Sequence, residues 1–511
     1  MNPANQGGDG ASTTCSISAD GRFICFRSYA TDLVPNDTNE RADIFVRDQL
    51  YGTTERVSVD NFGVEGDASS YESCLSADGR YVAFRSFASN LVPNDTNIAY
   101  DIFVHDRLTQ TMERVSVRAN GVEGNLGSSF PCISADGRFV AFHSVANNLV
   151  TDDSNNQVDI FLHDRNLGIT ARVSVTSAGG QANNRSQEPS MSANGRWIAF
   201  QSMATNLTSS DSNGVSDIFV RDNLTMTTEM ISVSSTGLQA NADCLDAVIS
   251  ADGRFVSFYS EASNLVTGDS NGVADVFVHD RQTGMTERVS VDSNNQQANA
   301  QSSSAQMSAD GRFIVFQSLA NNLIPADTNP SEDIFLRDRL TGQTERVNLT
   351  ELNQESDGYA YAPAISADAR RIIFWSSANN YTANDLHGED DVFLRDRGAG
   401  STQNSVLLTG PLRRSAQQTI NLSWYGAPHN SPYALVASLN TDGYTFAGHR
   451  YDVGEPFKIL GSGTHQLPGT GSFTSAPLSA NLSGLILYFE LAVLDAGGIF
   501  TDSIVHAVQV D

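Results

Sequence analysis

Short apolar runs alternate with polar turns along this chain, and the alternation keeps a fixed period. In one copy the runs are "ESCLS" ending at Ser76, "RYVAFRS" at residues 80–86, "DIFVHD" at residues 101–106 and "MERVSV" at residues 112–117. Each is rich in Val, Ile, Phe or Tyr or bounded by Asp, Asn, Gly and Thr, the signature of β-strands. The second and third runs are nearly all apolar, as strands buried on both faces are. No segment sustains a helical period, so the pattern predicts strands only. The turn between the first two runs marks the period. It reads "SADGRF" from Ser18 and recurs from Ser76, Ser134, Ser192, Ser250, Ser308 and Ser366, each copy 58 residues after the last.

Seven copies of a four-stranded antiparallel unit predict an all-β, seven-bladed β-propeller over residues 1–408. Blades bury their faces against each other, and closing the ring limits exposed edges. Every blade can be drawn from one continuous repeat, with the last fourth strand near residues 402–407. The ring is therefore expected to shut without a strand exchanged between the termini. From about Thr409 the period stops. The runs "TINLSWYG", "PYALVASL", "PFKILGSG", "GSFTSAPL", "LILYFELAVL" and "SIVHAVQV" follow, separated by Gly, Pro, Asn, Asp and Ser. They predict a small Ig-like β-sandwich over residues 409–511. Trp424 and Tyr425 are candidates there for stacking on a sugar or for the sandwich core.

The repeated pattern of SADGRF, a long Asn- and Asp-rich loop, DIFVRD and TERVSV resembles the TolB-like, WD40-like (PD40) propeller repeats of bacterial envelope and secreted proteins. The resemblance covers about four fifths of the chain. It implies the propeller fold and a place outside the cytoplasm. It does not choose a function, because such propellers serve as binding platforms, accompany peptidases and act as lyases. The SADG turn is also similar to the Asp-box of sialidases, but it lacks a residue between Asp and Gly, so no sialidase activity carries over. Within the turn, Asp20 and its equivalents are expected to cap backbone N–H groups, and Gly21 to supply positive φ. Asn194 replaces the Asp in the fourth copy. Ala369 replaces the glycine in the seventh and leaves its φ open.

A second element recurs in the loop between the second and third strands, with Asp at i, Asn at i+2 and Asp at i+6. The copies are Asp37, Asn39 and Asp43; Asp95, Asn97 and Asp101; Asp153, Asn155 and Asp159; Asp211, Asn213 and Asp217; Asp269, Asn271 and Asp275; and Asp327, Asn329 and Asp333. The seventh keeps Asp385 and Asp391 but has His387 where the Asn belongs, with Glu389 nearby. Two structures fit this spacing. Calcium prefers six to eight oxygen ligands from carboxylates, amides, carbonyls and water, and each loop would hold one ion. Alternatively, Asp-x-Asn is an Asx-turn followed by a strand-capping Asp, with no metal.

Charge supports the first and narrows the partners. The formal net charge is −28 over 511 residues. Nucleic acids and anionic membranes are repelled by such a surface. No apolar run is long enough for a membrane helix. The opening "MNPANQGGDGAST" has neither a basic nor an apolar signal region and looks like the tail of a repeat, as in a trimmed mature chain. The five cysteines do not recur at one position, so buried free thiols are expected, not bridges. The nine histidines show no HxxxH or HxH pair. His105, His163 and His279 share one repeat position with Arg47, Arg221, Arg337 and Arg395, which predicts a carboxylate partner.

The places where repeats differ are candidates for a ligand. After the Phe of the second strand stand Arg27, Arg85, His143, Gln201, Tyr259, Gln317 and Trp375. The loops from fourth to first strands vary too, with Tyr71, Phe130, Arg185, Asp243, Tyr359 and Tyr361. They should emerge on the same face as the acidic loops. No GxSxG, HExxH, P-loop or dinucleotide fingerprint is present. The expectation is a non-enzymatic, secreted or cell-surface calcium-binding propeller, a scaffold for a protein or glycan or for its own assembly. The alternative is a polysaccharide lyase or glycosidase.

Overall fold

The computed structural model describes residues 7–325, 327–350, 352–381 and 388–398, and the backbone of strands between residues 407 and 510. Two compact units are present, Met1–Asp396 and Arg397–Asp511. The first is the predicted ring of seven blades, each an antiparallel meander with strands in sequence order. Blade two is typical, with strands Ser70–Leu75, Tyr81–Ser86, Asp101–Asp106 and Thr111–Arg114 running from the axis outward. Blade seven has three strands among the described residues, ending at Asp391–Asp396. Its expected fourth strand near residues 402–407 lies outside them. Among the described residues no strand is exchanged between blades one and seven.

The SADG turn does more than end a strand. Ser18 Oγ donates to Asp20 Oδ1 at 2.6 Å, and that oxygen accepts the Arg22 N–H at 2.9 Å. Gly21 sits at φ +71°. Beyond this local knot, each turn bonds to the next. Ala19 N donates to Ala77 O, Ala77 N to Ala135 O, and so on through Ala193, Ala251, Ala309 and Ala367. Ala367 N then donates to Ala19 O at 3.0 Å. Seven identical backbone bonds thus form a closed circle around the axis. This explains why the period tolerates no insertion. A shifted turn would orphan two half-buried peptide groups.

Glycine at the end of the turn answers a packing need as well. A Cβ on Gly79 would lie 2.3 Å from Cδ2 of Phe23 in the preceding blade, at φ +69°. Ala369 occupies the same place in blade seven with φ +50°, so positive φ is kept there. Its methyl group belongs with Phe313, which is buried, in one apolar cluster. Gly79→Ala is expected to cost about 1–3 kcal/mol from the left-handed backbone and the displaced ring. A denaturant titration with no shift in midpoint would show that this contact is soft.

Between blades the core is a repeated apolar seam. Phe26 and Phe45 stack with centroids 5.9 Å apart, and the same pair recurs as Phe84–Phe103 and Phe142–Phe161 at 6.0 and 6.1 Å. Each fully buried Phe contributes about 1.5–3 kcal/mol relative to exposure. Ile373 of blade seven joins Ile24, Phe26 and Phe45 of blade one in a single cluster, so the last seam resembles the others. All five cysteines are free. Arg22 grips Asp48 with two parallel bonds of 2.9 and 2.6 Å, a bidentate clasp repeated with a spacing of 26 residues in every blade to Arg370 and Asp396.

In the second unit the six expected runs all carry strands. They build a three-stranded sheet through Asn421–Tyr425 and a six-stranded sheet through Pro432–Ser438 and Ile486–Leu494. Trp424 and Tyr425 lie on the first of these. The expected roles of their side chains fall outside what is described.

Candidate functional site

Each of the six described acidic loops turns its Asp-Asn-Asp set inward, and the second Asp opens the third strand fully buried. Asp43, Asp101, Asp159, Asp217, Asp275 and Asp333 are 0–1 % exposed. A hydroxyl from behind fixes each one, as Ser58 Oγ does Asp43 at 2.5 Å; in blade six Asn348 Nδ2 takes that role on Asp333 at 2.6 Å. The Asn closes an Asx-turn. Asn39 Oδ1 accepts the Arg41 N–H at 2.8 Å, and its Nδ2 donates to Asp43 Oδ2 at 2.9 Å. Asn97, Asn155 and Asn271 repeat both contacts. Asn213 and Asn329 repeat the turn, donating behind to Ala240 O and Ser356 O. The amide oxygen therefore serves the backbone, while its nitrogen faces the carboxylates.

A guanidinium stands among those carboxylates. In blade two Asp95, Asp101 and Glu123 bring their oxygens within 4.8 Å of one another. Arg114 Nη1, from the end of the fourth strand, lies 3.0, 3.3 and 2.8 Å from them. Arg56 does the same for Asp37, Asp43 and Glu65, and Arg346 for Asp327, Asp333 and Glu355. Arg172 serves Asp153 and Asp159, and Arg288 serves Asp269 and Asp275, with Gln181 and Gln297 where blades one, two and six have Glu. Blade four departs. Met230 replaces the arginine, and Gln239 Nε2 bridges Asp211 and Asp217 at 2.9 and 2.8 Å. Glu never appears without Arg, so no described loop leaves three uncompensated carboxylates. In blade seven Asp391 opens the third strand opposite Ser376. Asp385 lies outside the described residues.

Burial pushes the Asp37, Asp95 and Asp327 carboxyls up to about 6, with the neighbouring Asp43, Asp101 and Asp333 adding to it, although the arginine opposes the shift. Hydrogen bonds from Thr328 hold Glu355 down at about 2. The arginine stands 19 residues after the first Asp in five blades, a step visible in the sequence, but it looks like part of a strand.

In blades one, three, four, five and six the position shared by His and Arg meets a threonine, not the expected carboxylate, while in blade two Met112 stands opposite His105. His163 Nδ1 lies 2.9 Å from Thr170 Oγ1, and Arg221 Nη1 donates to Thr228 Oγ1 at 3.0 Å. The threonine in turn donates to a carbonyl of the preceding blade, Val175 O for Thr228 at 2.6 Å. A hydroxyl accepts from either cation or bonds a neutral imidazole, which is why both residues fit. Burial holds His105, His143 and His163 down at about 4.

Around the axis a second ring appears that the sequence did not announce. Every innermost strand carries a β-bulge, and the bulged residue is never glycine. Thr14, Glu72, Phe130, Glu188, Asp246, Ser304 and Ala362 all sit at φ between +38° and +56°. The variable second-strand side chains hold these bulges across the blade seams. His143 Nδ1 accepts the Glu188 N–H at 3.3 Å, and Gln201 and Gln317 accept those of Asp246 and Ala362 at 3.1 Å. In blade two Glu72 accepts the Phe130 N–H at 3.0 Å and pairs with Arg85 at 3.1 Å. Glu188 and Asp246, on neighbouring blades, share a hydrogen bond. Burial and the Asp246 charge push Glu188 up to about 7, and burial also raises Asp246.

The rim is polarised. Blades seven, one, two and three carry stacked aromatics and cations, with Tyr361 and Trp375 at 4.6 Å and Phe130 and His143 at 5.2 Å. Blades four and five carry the carboxyl pair. Tyr359, Tyr29, Phe87 and Phe130 remain 49, 47, 41 and 41 % exposed on the loop face.

No family model matches this chain, and no curated protein matches it. Among solved structures, a protein described as "putative TolB" from Agrobacterium tumefaciens aligns over 55 % of this chain and 80 % of its own, at 16 % identity and a TM-score of 0.35. The extracellular domain of a "putative hybrid two component system" from B. thetaiotaomicron aligns over 98 % of this chain and 86 % of its own, at 8 % identity and a TM-score of 0.22.

Proposed function

We propose that this chain is a non-enzymatic binding scaffold whose ring is a fixed frame and whose axial rim on the loop face is the recognition surface. One observation carries this. Almost every buried polar contact repeats around the ring, but the bulge ring and its second-strand partners differ in every blade. Left-handed non-glycine residues cost about 1–3 kcal/mol each and persist where surrounding structure over-determines them, which is typical of binding and active sites. Here seven of them set one variable residue per blade on the innermost strands, and exposed Tyr and Phe stand on the neighbouring loops. Secretion or surface display suits the strongly acidic chain and is part of the proposal. Calcium, which the loop spacing suggests, would have to displace a buried guanidinium in five blades.

A carbohydrate-active enzyme finds one observation in its favour, the Glu188–Asp246 pair. Glycosidase carboxyls stand about 5–9 Å apart to admit a sugar and a water. These two touch, so they share a proton instead of flanking a substrate. The purified chain is expected to release no product from a panel of neutral and acidic polysaccharides. Release of reducing ends or unsaturated sugars, lost in Glu188→Gln, would replace the scaffold reading by an enzymatic one.

A further inference from the structure

Two arginines occupy the same place in adjacent blades with different company. Arg85 is neutralised by Glu72, the bulge residue of its own blade, at 3.1 Å. Blade one has Thr14 at the bulge, and Arg27 donates only to the Thr13 hydroxyl at 2.7 Å. Among the described residues no carboxylate pairs with Arg27, and its Nε, like that of Arg85, has no hydrogen-bond partner. The guanidinium is nonetheless held in place. Its carbon lies 5.7 Å from the Tyr29 ring and 5.4 Å from the Tyr71 ring, while Arg85 continues the stack at 5.1 Å from Tyr71 and 4.4 Å from Tyr100. A ladder of rings and guanidinium groups thus crosses from blade one to blade two. Beside it, blade seven presents Tyr359, Tyr361 and Trp375 in one stack.

We propose that the rim over blades seven, one and two is a docking site for a peptide carboxylate, with Arg27 as its counter-ion and Tyr29 and Tyr71 as its walls. The inference rests on the scaffold reading and names its partner class. Charge complementarity sets the carboxylate, since a fixed, half-buried guanidinium without an internal anion is completed by one. Net charge sets the peptide. A polyanion would be repelled by the −28 of the whole chain, whereas a single carboxylate flanked by aromatic or aliphatic side chains brings little charge and uses the exposed rings. Tyr, Trp and Arg are also the residues that dominate the energetics of protein interfaces. The Glu188–Asp246 arc on the opposite side rejects a second carboxylate and so orients the peptide.

The test is to pan a library of short random peptides on the full chain and on its Arg27→Gln and Arg85→Gln variants. Peptides enriched on the unmodified chain are expected to carry one Asp, Glu or free C-terminus beside an aromatic residue. Arg85→Gln should keep that preference, and Arg27→Gln should lose it. Fluorescence anisotropy with one selected peptide should then show about tenfold weaker binding for Arg27→Gln. The Asn or Gln version of the peptide should lose the same factor, and the two changes together should lose no more. Unchanged melting of both variants certifies the fold. Enrichment of peptides without a carboxylate overturns the assignment of Arg27 but leaves the scaffold standing. No enrichment at all overturns the scaffold reading itself.

Discussion

Arg114→Met is expected to be among the most destabilising single changes in this ring, at about 3–5 kcal/mol, because it strands three carboxylates around an apolar side chain. Arg114 is 8 % exposed and Asp101 is 0 % exposed, so water cannot take over the arginine's work. Blade four shows how the fold lives without the guanidinium. Met230 stands there with Gln239, whose amide donates to both Asp211 and Asp217. Arg114→Met combined with Glu123→Gln copies that solution and should recover most of the loss. The recovery identifies the cause as charge, since the double variant removes more native contacts than the single one. Calcium completes the experiment. Adding calcium or EDTA should leave the melting temperature of the unmodified chain unchanged, while calcium should raise that of Arg114→Met, whose Asp95, Asp101 and Glu123 then await a cation. A calcium-dependent rise in the unmodified chain would return metal to the native loops.

The same loops show what a sequence can and cannot disclose. The 58-residue period gave the blade count, the strand order and the face on which the variable loops emerge, because strand periodicity and turn chemistry are local. The Asp-Asn-Asp spacing located the buried carboxylates as well. What neutralises them was not recognised, since Arg56 reaches Asp37 from another strand and an Arg in "TERV" resembles any strand residue. The bulge ring was hidden for a similar reason. Thr14, Glu72, Phe130 and Ala362 share no chemistry, and only their backbone angle unites them. A sequence motif can signal positive φ through glycine, and here glycine is absent. The threonine behind His163 and Arg221 was mistaken for a carboxylate because charge suggests charge, although a hydroxyl serves both residues.

Opposed titrations should give this protein a nearly flat stability profile between pH 4 and about 6.5, and single classes of mutation should tilt it in opposite directions. Asp37, Asp95 and Asp327 titrate at about 6 in the folded chain against 3.8 unfolded. Between those values the folded state holds protons that the unfolded state has released, so these groups make stability fall as pH rises through 6. His105, His143 and His163 titrate at about 4 when folded against 6.5 unfolded. There the unfolded state holds the extra protons, so these groups make stability rise over nearly the same window. Below pH 4 Glu355 and Asp106, held at about 2, lose their partners and the ring should melt steeply. Glu188, at about 7 when folded against 4.5 unfolded, should add a shallow fall in stability from about pH 4.5 to 7, and Glu188→Gln should remove it. The triple change Asp37→Asn, Asp95→Asn and Asp327→Asn should remove much of the opposition to the histidines, so that melting temperature climbs with pH from 4 to 6.5 by a few degrees. His163→Arg, which installs the residue that blades one, four, six and seven already use there, should tilt the profile the other way. Parallel profiles for both variants and the parent would mean that these buried groups keep their ordinary ionisation, and that the arginines in the acidic loops compensate their carboxylates fully.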